Sequence, residues 1–126
     1  MKQNVMIVDD DPGVLKSAAI VLASRGFHVV RATSGEECLE ALRRGFQGVI
    51  LMDIMMPGLS GWETIRAMQA ESLLGENRLV CMLTARQDPG AESEGLQECV
   101  FDYLAKPFDN QQLLALVENA SAILSP

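Results

Sequence analysis

Four consecutive residues, Val49-Ile50-Leu51-Met52, are apolar at every position and are followed at once by Asp53. A strand wetted on one face alternates apolar and polar side chains. A run without alternation must be covered on both faces, which is the condition of a central strand in a parallel sheet with helices on each side. Val5-Met6-Ile7-Val8 and Leu79-Val80-Cys81-Met82-Leu83 read in the same way. Each run ends in polar residues: Asp9-Asp10-Asp11, Asp53 and Thr84-Ala85. The carboxyl ends of parallel strands open on one edge of the sheet, where ligands bind, so these distant residues are expected to meet in one pocket.

The remaining pattern alternates strand and helix signals along the whole chain. Strands are predicted over Asn4 to Val8, Phe27 to Ala32, Gly48 to Met52, Leu79 to Leu83 and Val100 to Leu104, the last followed by Lys106-Pro107. Pro12 suits a first helical position with Asp11 as its cap, and Gly26 closes a helix whose apolar stripe is Val14, Leu15, Ala18, Val21 and Leu22. Ser34 with Glu37 and Ser60 with Glu63 are capping-box pairs opening helices that bury Cys38, Leu39 and Leu42, and Trp62, Ile65 and Met68. A last helix starts at Asp109, with Gln112 in its third position, and ends near Leu124. The segment from Pro89 to Glu98, with Gly95 inside it and only Ala91 and Leu96 as apolar contacts, is expected to be the least stable helix. The sum is an α/β fold with five βα units.

A chain of 126 residues is the size of one domain with one core. Its 48% hydrophobic and 21% charged content is that of a soluble globular protein, with neither a signal peptide nor an apolar run long enough to cross a bilayer, so a cytoplasmic location is expected. Cys38, Cys81 and Cys99 are odd in number, lack C-x-x-C spacing and fall in or beside predicted elements, which reads as buried reduced thiols. With His28 the lone histidine, neither a Cys/His nucleophile nor a zinc site is supported. A net charge of -7 repels a phosphate backbone, so no direct nucleic-acid contact is expected.

The chemistry follows from the strand ends. Three carboxylates, Asp9, Asp10 and Asp53, crowded to about 4 Å would repel by on the order of 4 kcal/mol per pair at an effective dielectric near 20, which protons or a cation must relieve. Hard oxygen ligands with room for water suit Mg²⁺ better than zinc, and Mg²⁺ favours a phosphate-bearing partner. Thr84 and Lys106, at the ends of the fourth and fifth strands, add a hydroxyl donor and an ammonium. Such a set can neutralise a transferring phosphoryl group while Asp53 attacks in line as nucleophile. No partner histidine is needed, because a carboxylate with a reference pKa of about 4 is already ionised at neutral pH. Taken singly each residue has a plainer explanation: a solvated strand end for Asp9-Asp10, a β-branched strand end for Thr84, an ion pair with an aspartate for Lys106.

Taken together, the segments Val8-Asp9-Asp10-Asp11, Met52-Asp53-Ile54-Met55-Met56-Pro57-Gly58-Leu59-Ser60-Gly61, Leu83-Thr84-Ala85 and Asp102-Tyr103-Leu104-Ala105-Lys106-Pro107-Phe108 resemble the four signature segments of CheY-like response regulator receiver domains, in order and at fitting spacings. The resemblance spans Val5 to about Leu124 and implies a flavodoxin-like three-layer sandwich with strand order 2-1-3-4-5. By that resemblance residues 1–126 form a single receiver domain, stand-alone or part of a longer chain. It would be a phosphorylation-activated switch that takes its phosphoryl group from a sensor histidine kinase or phosphotransfer protein. Asp53 would be the phosphoacceptor, Asp9, Asp10, Asp53 and the Met55 backbone carbonyl the Mg²⁺ ligands, and Thr84 and Lys106 the holders of the phosphoryl oxygens. Tyr103 would be the switch aromatic coupled to Thr84, and Lys106-Pro107 a cis peptide.

Output in such domains is expected from the face of the fourth helix, fifth strand and last helix, toward a downstream effector. Here that stretch carries Asp88, Glu92, Glu94, Glu98 and Asp102 without one Lys or Arg, so a basic or amphipathic partner is expected. Met55 and Arg86, two positions beyond Asp53 and Thr84, are long side chains that should hinder an attacking water. Two rivals differ in class. A haloacid-dehalogenase-like phosphoaspartate hydrolase needs a general acid two residues after its nucleophile, where this chain has Met55. An unphosphorylated binding module would leave the five polar positions without chemistry. The chain is therefore expected not to be a turnover enzyme.

Overall fold

A computed structural model describes residues 3–85 and 95–124. Five strands, β1 (Asn4–Val8), β2 (His28–Ala32), β3 (Gly48–Asp53), β4 (Arg78–Thr84) and β5 (Val100–Ala105), alternate with helices α1 (Pro12–Ser24), α2 (Gly35–Arg43), α3 (Gly61–Ala70) and, last, α4 (Asn110–Leu124). All strand pairs are parallel, in the order β2-β1-β3-β4-β5. The three apolar runs are thus the three inner strands, and every residue of β3 is buried.

The two-residue period of the strands divides the core in two. Val5, Ile7, Val49, Leu51, Cys81 and Leu83 face α1 and α4, with Leu15, Leu22, Leu113 and Val117 closing that side. Met6, Ile50, Met52, Val80 and Met82 face α2 and α3, against Leu39, Leu42, Trp62, Ile65 and Met68. Burying each of these side chains contributes about 1.5–3 kcal/mol, so the sheet is held mainly by apolar burial on both faces.

Helix starts follow local chemistry. Asp11 caps α1 by accepting from the Gly13 N–H at 2.8 Å, and Gly26 reverses the chain after it with φ 90°. Ser60 and Glu63 form a complete capping box on α3. Asp109 and Gln112 exchange the same two bonds at the start of α4, at 2.8 and 2.9 Å. The Ser34 pair departs from expectation. Ser34 accepts from the Glu37 N–H, but Glu37 Oε1 takes the backbone N–H and hydroxyl of Thr33, at 2.6 and 2.9 Å, rather than the Ser34 N–H. Thr33 brings both its backbone N–H and its hydroxyl to one Glu37 oxygen, and these bonds hold the Glu37 carboxyl below its ordinary range.

The weak helix expected over 89–98 lies mostly outside the described residues, as do Asp88, Glu92 and Glu94. Its described end, Leu96–Cys99, is a 3-10 turn, with Leu96 buried in the α2/α3 side of the core. The turn is led in by Gly95 at φ 85°, and its three-residue period suits a piece this short. Cys38 and Cys81 are buried free thiols, while Cys99 is only half-buried. Among the described residues no helix is long and apolar enough to cross a membrane.

Candidate functional site

The backbone ladder runs on past the strands and so aligns their ends. Asp9 N–H donates to Ala32 O at 3.1 Å, Ile54 N–H to Leu83 O at 3.2 Å and Lys106 N–H to Thr84 O at 2.7 Å. Asp9, Asp53 and Lys106 continue the strand parity that faces α1 and α4, since Ile7, Leu51 and Leu104 belong to that side. Thr84 continues the opposite parity, set by Val80 and Met82. One period-two rule thus gathers the charged groups on one side of the sheet edge and puts the hydroxyl across from them.

Carboxylate oxygens of Asp9, Asp10 and Asp53 lie within 4.8 Å of one another. Asp9 is fully buried and Asp53 is 6% exposed, whereas Asp10 is open to solvent. Lys106 Nζ donates to Asp9 Oδ2 at 2.6 Å and stands 3.4 Å from Asp53 Oδ1. The second Asp9 oxygen accepts the Asp11 N–H at 2.9 Å, so Asp11 serves the site through its backbone and α1 through its side chain. Thr84 is 5% exposed at the end of β4. Met55 is 55% exposed, and its backbone N–H hydrogen-bonds the Asp53 carboxylate.

Crowding has the expected electrostatic result. Burial first, and then the Asp9 charge, push the Asp53 carboxyl up to about 6, against the charge and hydrogen bond of Lys106 and the Met55 N–H. Burial would lower the Lys106 ammonium, but the hydrogen bond to Asp9 and the Asp53 and Asp9 charges together raise it. The repulsion anticipated among the acids is therefore relieved in part by Lys106 and in part by a raised affinity of Asp53 for a proton.

The donor set is also suited to a hard divalent cation. Its oxygens are close enough to share one ion, and solvent-exposed Asp10 leaves the open side that a water-retaining Mg²⁺ requires. Beside the site, α1 and the chain from Lys106 to Leu113 enclose a groove of about 530 Å³ lined by Val14, Ala18, Pro107, Phe108 and Leu113. The Lys106–Pro107 peptide is cis. Tyr103 is half-buried on β5, its ring centroid 6.3 Å from that of Trp62 and tilted by 52°. Sequence patterning marked Trp62 only as core, because the residue it meets is 41 positions away by number.

A parallel sheet ordered 2-1-3-4-5, with acids at the carboxyl ends of β1 and β3, defines a doubly wound protein of the flavodoxin-like class. The sequence model of the response regulator receiver domain matches residues 5–118. The chain belongs to that family, the phosphorylation-dependent signalling domains of two-component systems. It is 34% identical to the DNA-binding response regulator MtrA of Mycolicibacterium smegmatis over 93% of this chain and 50% of that protein. It is 30% identical to the phosphate regulon transcriptional regulatory protein PhoB of Escherichia coli, over the whole of this chain and 55% of that one. The chain spans about half the length of the curated relatives it matches. Among solved structures it resembles a CheY-like receiver domain protein from Methanospirillum hungatei at 45% identity and a TM-score of 0.91, covering 96% of this chain and 95% of that one. It also resembles the chemotaxis protein CheY4 of Vibrio cholerae at 27% identity and a TM-score of 0.84, covering 95% and 99%.

Proposed function

We propose that residues 1–126 act as one receiver domain that accepts a phosphoryl group on Asp53 from the phosphohistidine of a sensor kinase or phosphotransfer protein. The observation that carries this reading is the placement of the Asp53 carboxylate, buried between the Lys106 ammonium at 3.4 Å and the Asp9 and Asp10 carboxylates. An Asp53 oxygen attacks phosphorus in line, the P–N bond to the donor breaks, and its electron pair returns to the imidazole nitrogen. Lys106 neutralises one oxygen of the transferring group and Thr84 donates its hydroxyl to another. Asp9, Asp10, Asp53 and the Met55 carbonyl would hold Mg²⁺, which when bound supplies positive charge to the phosphoryl oxygens. Met55 supplies no acid where a hydrolase would need one, so the domain serves its own phosphorylation and dephosphorylation rather than turnover of external esters.

The groove beside Lys106 offers an apolar wall on the α1 side of the site. Output would pass through β5, α4 and the segment before β5 to an effector domain or protein. Glu98, Phe101 and Asp102 are exposed there, which suits a basic, partly apolar partner. Any DNA contact would belong to such an effector, as the name of the MtrA relative suggests for the whole protein, while this acidic domain itself touches neither nucleic acid nor membrane in the cytoplasm.

The test is incubation with Mg²⁺ and acetyl phosphate followed by intact mass measurement beside Asp53→Asn. A single labile phosphoryl on the wild type alone is expected. No adduct at saturating donor would favour the binding module, and repeated turnover of an ester the hydrolase.

A further inference from the structure

Two adjacent residues at the start of α3 reach two separate parts of the molecule. Gly61 N–H donates to Ile54 O at 2.8 Å. A Cβ on Gly61 would lie 2.6 Å from Asp53 O and 2.9 Å from Ile54 Cα, backbone atoms that have nowhere to go. Gly61 is not among the residues with positive φ, so close approach to the acceptor peptide is what requires a glycine here. The next residue, Trp62, is 2% exposed and packs its ring on Tyr103. Met82 closes the gap from below. Its Cε lies 2.9 Å from the position a Gly61 Cβ would take, and its Cα partner across the sheet is Tyr103.

We propose that Gly61 and Trp62 are positioning residues that connect the Asp53 peptide to Tyr103 without passing through Thr84. Gly61 keeps the first turn of α3 in contact with the Asp53–Ile54 peptide, and Trp62 carries any displacement of that turn to the Tyr103 ring. Close-packed layers rearrange between discrete arrangements rather than deform continuously, so a shift at the acceptor peptide is passed to the ring and not absorbed between them. The coupling is reciprocal: the packing state of Tyr103 sets the affinity of the Asp53 site as much as the site sets the ring. This inference rests on Asp53 being the phosphoacceptor.

The experiment is calorimetric titration of the full chain with beryllofluoride, an acyl-phosphate mimic, in the presence of Mg²⁺, alongside urea denaturation of each variant. Gly61→Ala is expected to weaken analogue binding about 10- to 100-fold while the chain remains folded. Trp62→Leu and Tyr103→Leu are each expected to shift the affinity, the double variant no further than the stronger single, and the same non-additivity is expected in a Thr84→Ala background. Trp62→Phe, which keeps a ring against Tyr103, is expected to restore most of the affinity lost in Trp62→Leu. A contact that is merely structural would couple the two residues in urea stability and leave their effects on analogue affinity additive, which would overturn the inference, as would disappearance of the coupling once Thr84 is removed. Wild type that binds the analogue no better than Asp53→Asn would instead overturn the functional reading, and the inference with it.

Discussion

The Lys106 ammonium is bound more closely to Asp9, at 2.6 Å, than to Asp53, at 3.4 Å. Lys106 thus occupies part of the charge field that a divalent cation would enter, and the two compete for the same carboxylates. Lys106→Met is expected to bind Mg²⁺ more tightly, by about 5- to 10-fold at low salt, because one repelling charge is gone. The same variant should accept phosphoryl more slowly for want of the cation that neutralises its oxygens. Magnesium titration beside the rate of acetyl phosphate labelling separates the two effects, and an unchanged Mg²⁺ affinity would refute the competition.

Asp53 makes the metal-free chain less stable at neutral pH. Its folded pKa, raised to about 6 from 3.8, means that between these values the folded chain holds a proton the unfolded chain has released. Stability therefore increases as pH falls through about 6 and is reduced above it, by about 1–2 kcal/mol once solvent screening is allowed for. Urea denaturation in EDTA at pH 7.5 and 5.5 should show the first part of this gain in wild type, about a few tenths of a kcal/mol, with the remainder developing as pH falls on toward 3.8. Asp53→Asn should be the more stable chain at pH 7.5 and should lack the gain contributed by this group.

Arg78 holds the opposite edge of the sheet. Its guanidinium donates to Phe46 O at 2.7 Å, Leu73 O at 2.6 Å and Leu42 O at 3.0 Å, tying the end of α2 and the loops around it to the start of β4. Arg78→Ala leaves three carbonyls without these donors and is expected to cost about 2–4 kcal/mol, with Arg78→Lys recovering less than half because donors on a single nitrogen cannot span carbonyls that three separate guanidinium nitrogens reach. Mg²⁺ affinity should be unaffected, since Asp9, Asp10 and Asp53 lie at the other end of the strands.

The thiols should separate by burial. Burial pushes Cys38 and Cys81 up to about 12, against a small opposing effect of Arg78 on Cys38 and with the Asp102 charge adding to the rise at Cys81. A disulfide reagent at pH 8 should modify Cys99 in the native chain and reach the other two only on unfolding. Native labelling of all three at equal rates would show that the β4 core opens readily.

Much of the fold was legible because its cues are local. The unalternating runs at Val5–Val8, Val49–Met52 and Leu79–Leu83 located the three buried strands to within a residue. Asp11, Ser60 and Asp109 marked helix starts through bonds made inside one turn of chain. The Ser34 pair departs from its local pattern because the neighbouring Thr33 brings both its N–H and its hydroxyl to Glu37. Strand order entered through family resemblance, because periodicity tells a strand which faces are covered but not which neighbour it pairs with. No local pattern singles out Arg78, and Gly61 enters only as the end of the Met52–Gly61 segment, since the carbonyls that meet one and the Asp53 peptide that meets the other are brought up only by the folded chain.

The candidate site divides along the same line. Residue types and their positions at strand ends were enough to nominate Asp9, Asp10, Asp53, Thr84 and Lys106 for one edge of a parallel sheet, because backbone geometry alone sends those ends to the same side. Which carboxylate holds Lys106, how far Asp53 is pushed toward its neutral form, and that the Trp62 ring meets Tyr103 were decided by tertiary structure. Those properties depend on distances of a few ångströms between residues 40 to 100 positions apart, and charge and packing energies change steeply over just such distances.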